Sequence, residues 1–278
     1  WKLFDLKHSF WPIKRTVLYP VVSLLILLVA LITFHPFSAP RPDGRLRFDF
    51  LDVGQGDSAL VTFPDGNTML IDAGGRFRYK TKSDEDSEPF ERDTRGIGEA
   101  VVSEFLWHRG LSRIDHILAT HAHSDHMQGL IDVAKNFSIG SAVFGRMPMS
   151  DPDFAALAEV LLKRGIPTET ISRGDRLKFG DVTVEVLYPI ASDDSNTVSD
   201  NDQSIVLRFN YGSRTLLLPG DIEQQAESAL LNNGGVLAAD VVKVAHHGSR
   251  TSSTQEFINA VGAKYAMISV GNSSPFGH

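Results

Sequence analysis

The 278-residue chain contains no cysteine. This absence excludes disulfide bonds and thiolate zinc sites, so a metal site in this chain must be built from histidine and carboxylate side chains. The chain also lacks a basic excess, since 27 Lys and Arg stand against 34 Asp and Glu, a net charge of −7. Tight non-specific binding of nucleic acid needs a broad basic surface, so any DNA contact must be local.

A glycine-rich nucleotide loop is also missing. Residues 54–58 (GQGDS) lack the third glycine and the following helix of a dinucleotide fingerprint, and no P-loop sequence occurs. The sequence therefore does not indicate P-loop or Rossmann nucleotide chemistry.

The chain has one long apolar run, residues 17–34, with no charge over 18 positions. This length is at the lower end of what spans a bilayer, so we predict a transmembrane helix at about residues 16–35. A buried helix of a soluble protein is the alternative. Residues 35–44 carry three prolines and predict a linker, which completes a first segment of residues 1–44. Because the chain begins with Trp1 and ends with His278, we expect it to be part of a longer polypeptide.

From residue 45 to 278 the pattern predicts one large domain made of two similar halves. The first half has predicted strands at 47–53, 57–63, 68–72 and 114–120, and helices at 96–108 and 128–136. The second has predicted strands at 182–188, 204–210, 215–218, 240–245 and 265–270, and helices at 154–164, 224–231 and 254–261. Such halves indicate an α/β fold, a sandwich of two sheets with helices outside. Functional residues should then lie at the strand ends.

The most informative segment is residues 121–126 (HAHSDH), which directly follows a predicted strand. Imidazole nitrogens and carboxylate oxygens bind borderline divalent cations, and this spacing in an irregular turn lets the side chains diverge toward two adjacent ions. The segment therefore predicts a two-metal hydrolytic site. A chance cluster of ordinary histidines is the alternative. The candidate ligands are His121, His123, Asp125 and His126.

Three further strand ends carry candidate residues. Asp221 is predicted to bridge two ions, with a helix N-cap as the alternative. Of His246 and His247, one is predicted to bind metal while the other contacts a phosphate or protonates a leaving group. Asp72 is predicted to orient a ligand histidine through its second nitrogen or, equally well, to cap the backbone turn at residues 74–75.

Residues 76–82 (RFRYKTK) interleave four cations with two aromatic rings, a composition suited to phosphate contact and base stacking. The acidic stretch 83–91 would offset the field of these cations, and the composition favours a solvated surface loop. The candidate DNA contacts are Arg76, Arg78, Lys80 and Ser249.

Taken together, the motifs resemble the metallo-β-lactamase superfamily, whose HxHxDH motif matches residues 121–126. In addition, several segments resemble the C-terminal domain of the ComEC family of bacterial DNA-uptake proteins; they are 51–58 (LDVGQGDS), 71–75 (IDAGG), 219–221 (PGD), 246–249 (HHGS) and 269–278. The resemblance covers residues 45–278. It implies an αβ/βα sandwich, preceded here by the transmembrane helix, that holds one or two Zn²⁺ or Mn²⁺ ions.

The resemblance also implies roles by position. It makes His121 and His123 ligands of a first metal, Asp125 and His126 ligands of a second, Asp221 the bridge, His247 a further ligand, and His278 a candidate for metal or phosphate. His246 would face the substrate.

One departure concerns the first metal. Many superfamily hydrolases have another histidine before the bridging aspartate, whereas no histidine occurs from residue 127 to 243 here. Asn201 or Asp202 occupies the equivalent position, so we expect a weak first site, or one that prefers Mn²⁺ because of its oxygen ligands.

In function, the resemblance implies a metal-dependent phosphodiesterase. It would be a nuclease that degrades one strand of incoming DNA during transformation, with Asp125 and His246 as catalytic residues. Its partners would be DNA, the membrane and other parts of the competence channel. Basic residues are slightly more frequent before the apolar run than after it. Since basic residues favour the cytoplasmic side of a membrane helix, we expect the domain to lie outside the cytoplasm at the bacterial cell membrane.

Two alternatives remain. One is a hydrolase of a small phosphodiester such as a phosphocholine ester, because related domains share the GDxE pattern of residues 220–223. The other is a DNA-channel binding module without metal chemistry, which the intact ligand turn disfavours.

Overall fold

The computed structural model describes residues 14–34, 42–75, 95–190 and 198–271. The chain divides into two compact units, Trp1–Ala39 and Pro40–His278. The first unit contains helix α1, Arg15–Phe34, which continues through Pro20. Within it, Arg15–Thr33 has a mean hydropathy of 2.5, and is long and apolar enough to cross a membrane. The predicted apolar helix is therefore present.

The described residues of the second unit form two six-stranded sheets. The strands of the first sheet are β1 (Arg47–Phe50), β2 (Ala59–Thr62), β3 (Thr68–Ile71), β4 (Arg113–Ala119), β5 (Ser138–Phe144) and β6 (Thr168–Thr170), adjacent in chain order. The pairs from β1 to β3 are antiparallel, and those from β3 to β6 are parallel. Parallel neighbours need crossover connections, and helices provide them. These are a π-helical turn (Gly98–Ser103) continued by α2 (Glu104–His108), then α3 (Ser124–Asn136) and α4 (Pro152–Lys163).

The second sheet has the order β12-β11-β10-β9-β8-β7. Its strands are β7 (Arg176–Phe179), β8 (Val182–Tyr188), β9 (Val206–Tyr211), β10 (Arg214–Leu218), β11 (Val241–Lys243) and β12 (Tyr265–Met267). The strands from β7 to β10 are antiparallel, and β10, β11 and β12 are parallel. The crossovers to β11 and β12 contain α5 (Gln224–Asn232) and α6 (Gln255–Val261).

The buried side chains show how the layers pack. One apolar core joins the two sheets, for example Met69 and Leu118 of the first with Val184 and Leu207 of the second. A second core joins the other face of the first sheet to α2, α3 and α4. A third joins the second sheet to α5 and α6. The predicted αβ/βα sandwich is therefore confirmed.

Some element predictions were wrong. Helix α3 begins at Ser124 instead of residue 128, so Asp125 and His126 lie in its first turn and not in an irregular turn. An acidic residue in the first turn is favoured by the helix dipole. Strands β5, β6 and β7 were missed, and β2 and β12 are shorter than predicted.

Candidate metal centre

The candidate residues gather at one edge of the sandwich, where several strands end. Asp72 follows β3, residues 120–121 follow β4, Asp221 follows β10, and Lys243 ends β11. In parallel sheets the carboxyl ends of the strands meet at one edge, so side chains far apart in sequence converge there. The first turn of α3 and a 3₁₀ turn, Ala245–Gly248, add further polar groups.

Two histidines point their Nε2 atoms at the same oxygen. His126 Nε2 lies 3.0 Å and His247 Nε2 lies 3.1 Å from Asp221 Oδ2. Their Nδ1 atoms face oxygen acceptors, Asp72 Oδ2 at 2.9 Å from His126 and the Ser269 carbonyl at 2.8 Å from His247. Since a carboxylate or carbonyl only accepts hydrogen bonds, each Nδ1 carries the proton. This arrangement orients each Nε2 for metal binding.

Asp125 completes this group. Its Oδ2 lies 3.6 Å from His247 Nε2 and 3.9 Å from His126 Nε2. Atoms bound to one zinc ion at 2.0–2.2 Å lie roughly 3–4 Å from one another. The measured distances among Asp125, His126, Asp221 and His247 are therefore those expected of side chains that bind one ion.

Asp57 lies beside this group. Asp57, His126, Asp221 and His247 each offer one ligand atom, and these atoms lie within 4.8 Å of one another. Asp57 Oδ2 also forms an ion pair with Lys243, whose ammonium is 3.4 Å from Asp221 Oδ1. The side chain of Lys243 is only 4% exposed, so a buried cation contacts two carboxylates of the site.

The proximity of these groups shifts their pKa values. Burial lowers the pKa of His126, but the carboxylates of Asp221, Asp72 and Asp125 outweigh it and raise the pKa well above its ordinary value. In the same way, hydrogen bonds to Asp125 and Asp221 outweigh burial and raise the pKa of His247 to about 9. Opposite charges hold such groups in their ionised forms.

The pKa values of Asp221 and Lys243 each shift in the direction that favours the charged form of the side chain. Burial raises the pKa of Asp221, but His126 and Lys243 outweigh it and hold the pKa well below its usual range. Burial lowers the pKa of Lys243, but Asp57 and Asp221 outweigh it and raise the pKa. These partners therefore form a charged network.

His121 lies on the other side of His126, with ring centroids 4.2 Å apart. Its Nδ1 is 3.1 Å from Thr120 Oγ1, which donates to Asp72. Burial, followed by the nearby His126, lowers the pKa of His121 well below its ordinary value. A neutral imidazole is the form that binds a metal ion.

The other residues that were expected to bind the first metal ion are less well placed to do so. The side chain of His123 is 42% exposed and lies 4.0 Å from Asp200. Asp202 Oδ1 accepts hydrogen bonds from the backbone amides of residues 223 and 226, so Asp202 caps α5. Asn201 has a buried Oδ1 without a hydrogen-bond partner among the described residues. Of the two alternatives, Asn201 is the one whose side-chain oxygen is not engaged.

His246 faces a different partner. Its Nδ1 lies 3.3 Å from Glu223 Oε1 and 3.5 Å from Thr251 Oγ1, and Thr251 donates to the same Glu223 oxygen at 2.5 Å. Ser249 lies in the same loop, with its hydroxyl 3.0 Å from that of Thr251. The two adjacent histidines therefore have separate environments.

The backbone of the site is held in unusual conformations. Among the described residues, Asp72, His246 and His247 have φ of 56°, 47° and 53°, although none is glycine. Such φ values are costly for residues with a Cβ and concentrate at functional sites. Gly56 lies against the first turn of α3, where a Cβ would be 2.1 Å from the Asp125 carbonyl oxygen. The glycine of the GQGDS segment thus allows the backbone beside Asp57 to approach Asp125.

The chemistry of the cluster fits a divalent cation. Buried polar atoms are nearly always paired, yet several at this site have no hydrogen-bond partner among the described residues. They are Asp57 Oδ1, His121 Nε2, Asp125 Oδ1 and Asn201 Oδ1. A metal ion would supply the missing interaction to imidazole nitrogens and carboxylate oxygens of this kind.

Residues 51–272 match the model of the Metallo-beta-lactamase superfamily. The chain belongs to this superfamily.

Among its relatives, ComE operon protein 3 of Bacillus subtilis (strain 168) is 33% identical over 249 residues, which cover 89% of this chain and 31% of the relative. Competence protein ComA of Neisseria gonorrhoeae is 26% identical over 255 residues, which cover 91% of this chain and 31% of the relative. The chain thus spans 31% of the length of each of these two relatives. These similarities confirm the predicted resemblance to the ComEC family.

Among solved structures, the metallo-β-lactamase fold protein YhfI from Bacillus subtilis is similar with a TM-score of 0.47 and 13% identity. The similarity covers 82% of this chain and 88% of that one.

Within the superfamily fold, sequence reasoning missed several residues of the site. Asp57 was taken as the start of a strand, and Lys243 as part of one. A lysine between valines at a strand end was a usable signal, because buried lysines are rare unless paired. Glu223 and Thr120 act through contacts that only the structure shows. Of the predicted residues, Arg76, Arg78, Lys80 and His278 lie outside the described residues.

Proposed function

We propose that this chain is a metal-dependent phosphodiesterase that hydrolyses DNA during DNA uptake. The observation that carries the proposal is the convergence of ligand atoms from Asp125, His126, Asp221 and His247, with distances of 3.0–3.9 Å between the measured pairs. The similarity to relatives named as competence proteins supports DNA as the substrate.

The proposed ligands form two groups. Asp125, His126, Asp221 and His247 would hold one divalent ion, Zn²⁺ or Mn²⁺. His121, His123 and Asn201 are the remaining candidate ligands, on the side where a second ion would bind. When bound, such ions supply Lewis-acid chemistry, which polarises a phosphoryl oxygen and activates water.

The protein groups prepare this centre. Asp72 and the Ser269 carbonyl fix the tautomers of His126 and His247, so that both Nε2 atoms face Asp221. Asp125 faces the same space and is proposed as a catalytic group as well as a ligand. In hydrolysis one P–O bond of the phosphodiester breaks, the water oxygen joins phosphorus, and a proton reaches the leaving oxygen. His246, whose ring is held by Glu223 at 3.3 Å, is the proposed donor of that proton.

A cavity beside His121 supports a nucleotide-sized substrate. It has a volume of about 260 Å³, and Arg146 and Gln203 are among its lining residues. A cation is the kind of group that binds phosphate in single-stranded DNA. Because the chain is acidic overall, a local contact of this kind is the form that DNA binding must take. Ser249, in the loop of His246, is a further proposed contact.

We further propose that α1 anchors the chain in a bacterial cell membrane, next to other parts of a DNA-uptake channel. The length and hydropathy of Arg15–Thr33 support the anchor. The slight basic excess before α1 supports a domain outside the cytoplasm.

A small phosphodiester is the second candidate substrate. The contact between Glu223 and His246 supports it, because the GDxE pattern then has a structural role beside the site. A module without metal chemistry is disfavoured by the orientation of both histidines toward Asp221.

The test compares Asp125→Ala with the wild type, each as the full chain in detergent. Single-stranded DNA, duplex DNA and bis-p-nitrophenyl phosphate are offered with Zn²⁺ or Mn²⁺. Since loss of a group that merely supports a metal ligand costs 10–100-fold, we expect loss of the ligand to reduce metal-dependent cleavage by at least about 100-fold. Asp181→Ala is the control, because Asp181 is exposed in the turn between β7 and β8.

Wild-type cleavage of DNA that Asp125→Ala loses and Asp181→Ala keeps would support the nuclease. Cleavage of bis-p-nitrophenyl phosphate without cleavage of DNA would instead support a small phosphodiester as the substrate. Equal activity of Asp125→Ala and wild type would refute the proposed centre.

A further inference from the structure

Lys243 is the basic residue at the centre of the site. It ends β11, between Val242 and Val244, and its side chain is 4% exposed. Its ammonium forms an ion pair with Asp57 and lies 3.4 Å from Asp221 Oδ1. Since leaving such a charge buried without a partner is costly, its position is determined by these two carboxylates.

The two oxygens of Asp221 face different cations. Oδ2 faces the Nε2 atoms of His126 and His247, at 3.0 and 3.1 Å, where one ion would bind. Oδ1 faces the Lys243 ammonium instead. The lysine thus holds the oxygen that is turned away from the proposed ion.

The ligands for a second ion are sparse. His121 Nε2 is buried, but His123 is 42% exposed. No histidine occurs between residues 127 and 243. Three or four protein ligands are the rule for a zinc site, and this side offers fewer well-oriented groups.

We propose that Lys243 takes the place of a second metal ion, so that the centre holds one divalent ion and one buried ammonium. Lys243 neutralises Asp57 and engages Asp221 Oδ1, the oxygen that Asp221 would otherwise offer to a second ion. The inference rests on the proposed metal centre and deepens it, because it specifies how many ions the centre takes.

Removal of the ammonium should open a second site. In Lys243→Gln, Asp57 and Asp221 Oδ1 lose their cation and become available to an oxygen-preferring ion such as Mn²⁺. In Lys243→Arg the charge remains. Lys264→Gln is the matched control, because Lys264 also pairs with an aspartate, Asp240 at 3.6 Å, but is 70% exposed.

The experiment is dialysis of the full chain in detergent against excess Mn²⁺, followed by elemental analysis and electron paramagnetic resonance. We expect one Mn²⁺ per chain and an uncoupled six-line spectrum for the wild type, Lys243→Arg and Lys264→Gln. We expect two Mn²⁺ per chain and a spin-coupled spectrum for Lys243→Gln.

The outcomes separate the two proposals. Two coupled ions in the wild type would overturn the inference and leave the proposed function standing. No bound ion in the wild type would overturn the metal centre itself. One ion in both the wild type and Lys243→Gln would contradict the proposal that Lys243 takes the place of a second ion. If Lys243→Gln does not fold, the wild-type spectrum still decides between one ion and two.

Discussion

At the scale of single residues, the site depends on side chains that support the proposed ligands. Asp72 is the clearest case, because its carboxylate accepts from the Thr120 amide and hydroxyl at 2.8 and 2.7 Å and also faces His126 Nδ1. It thereby connects β3, β4 and α3 around one ring nitrogen. The orientation of His126 is thus set by a group that need not touch the ion.

We expect Asp72→Asn to weaken metal binding by about 10–100-fold, because an amide holds the ring tautomer of His126 less firmly than a carboxylate does. The affinity is measured by competition with a chelating dye. Asp52→Asn is the control, since Asp52 is an exposed carboxylate that accepts a hydrogen bond from the Gly54 amide, two residues along the chain. An unchanged affinity in Asp72→Asn would contradict the orienting role.

The residue scale also shows how far the sequence could predict the site. The HAHSDH segment and the ends of apolar strands indicated the ligand types, because His and Asp are scarce at such positions without a reason. Asp57 and Lys243 were not predicted, because their pairing joins residues 186 positions apart, one in the loop before β2 of the first sheet and the other on β11 of the second. Their contact depends on how the two sheets pack, and local sequence does not contain that information.

At the scale of helices and strands, the wrong predictions are explained by packing between segments that are distant in sequence. Residues 124–126 look like a turn because they are polar, yet they form the first turn of α3. Gly56 and Gly75 let neighbouring loops pack on that turn, since a Cβ there would lie about 2 Å from the carbonyl oxygens of Asp125 and Ser124. Strand β5 was missed because only Phe137 separates it from α3, and β6 because its three residues are exposed. Long strands with clear alternation, such as β8, were predicted correctly.

The variant Asp202→Ala tests whether Asp202 stabilises the beginning of α5 or binds a metal ion. Its Oδ1 accepts from the amides of Glu223 and Ala226 at 2.7 and 3.1 Å, at the beginning of α5. We expect Asp202→Ala to lower the free energy of unfolding by about 1–2 kcal/mol, as other lost caps do.

The metal content of folded Asp202→Ala should equal that of the wild type. Urea denaturation and elemental analysis of the same preparation measure both quantities, with Asp181→Ala as the reference. Loss of metal without loss of stability would instead make Asp202 a ligand.

At the scale of the whole molecule, the site is shared between the two sheets. Asp72 and His126 come from the first sheet and its helix, whereas Asp221 and His247 come from the second. The four carboxylates Asp57, Asp72, Asp125 and Asp221 are brought together where the sheets meet. An ion at this position would therefore connect two halves that are otherwise joined by the apolar core between the sheets.

Removal of the metal should therefore lower the stability of the folded domain. An ion present at 1,000 times its Kd contributes roughly 4 kcal/mol to folding, which for a domain of this size corresponds to about 8–16 °C in Tm. We expect a chelator to lower the Tm of the wild type by about this amount, measured by circular dichroism on the full chain in detergent.

The variant His126→Ala provides the control, because it should melt at the same temperature with and without the chelator. His108→Ala, which changes an exposed histidine at the end of α2, should keep the wild-type response. A wild-type Tm that is unaffected by chelation would show that the two sheets are held together without an ion, since the charged network of Lys243 would then be sufficient to neutralise the buried carboxylates.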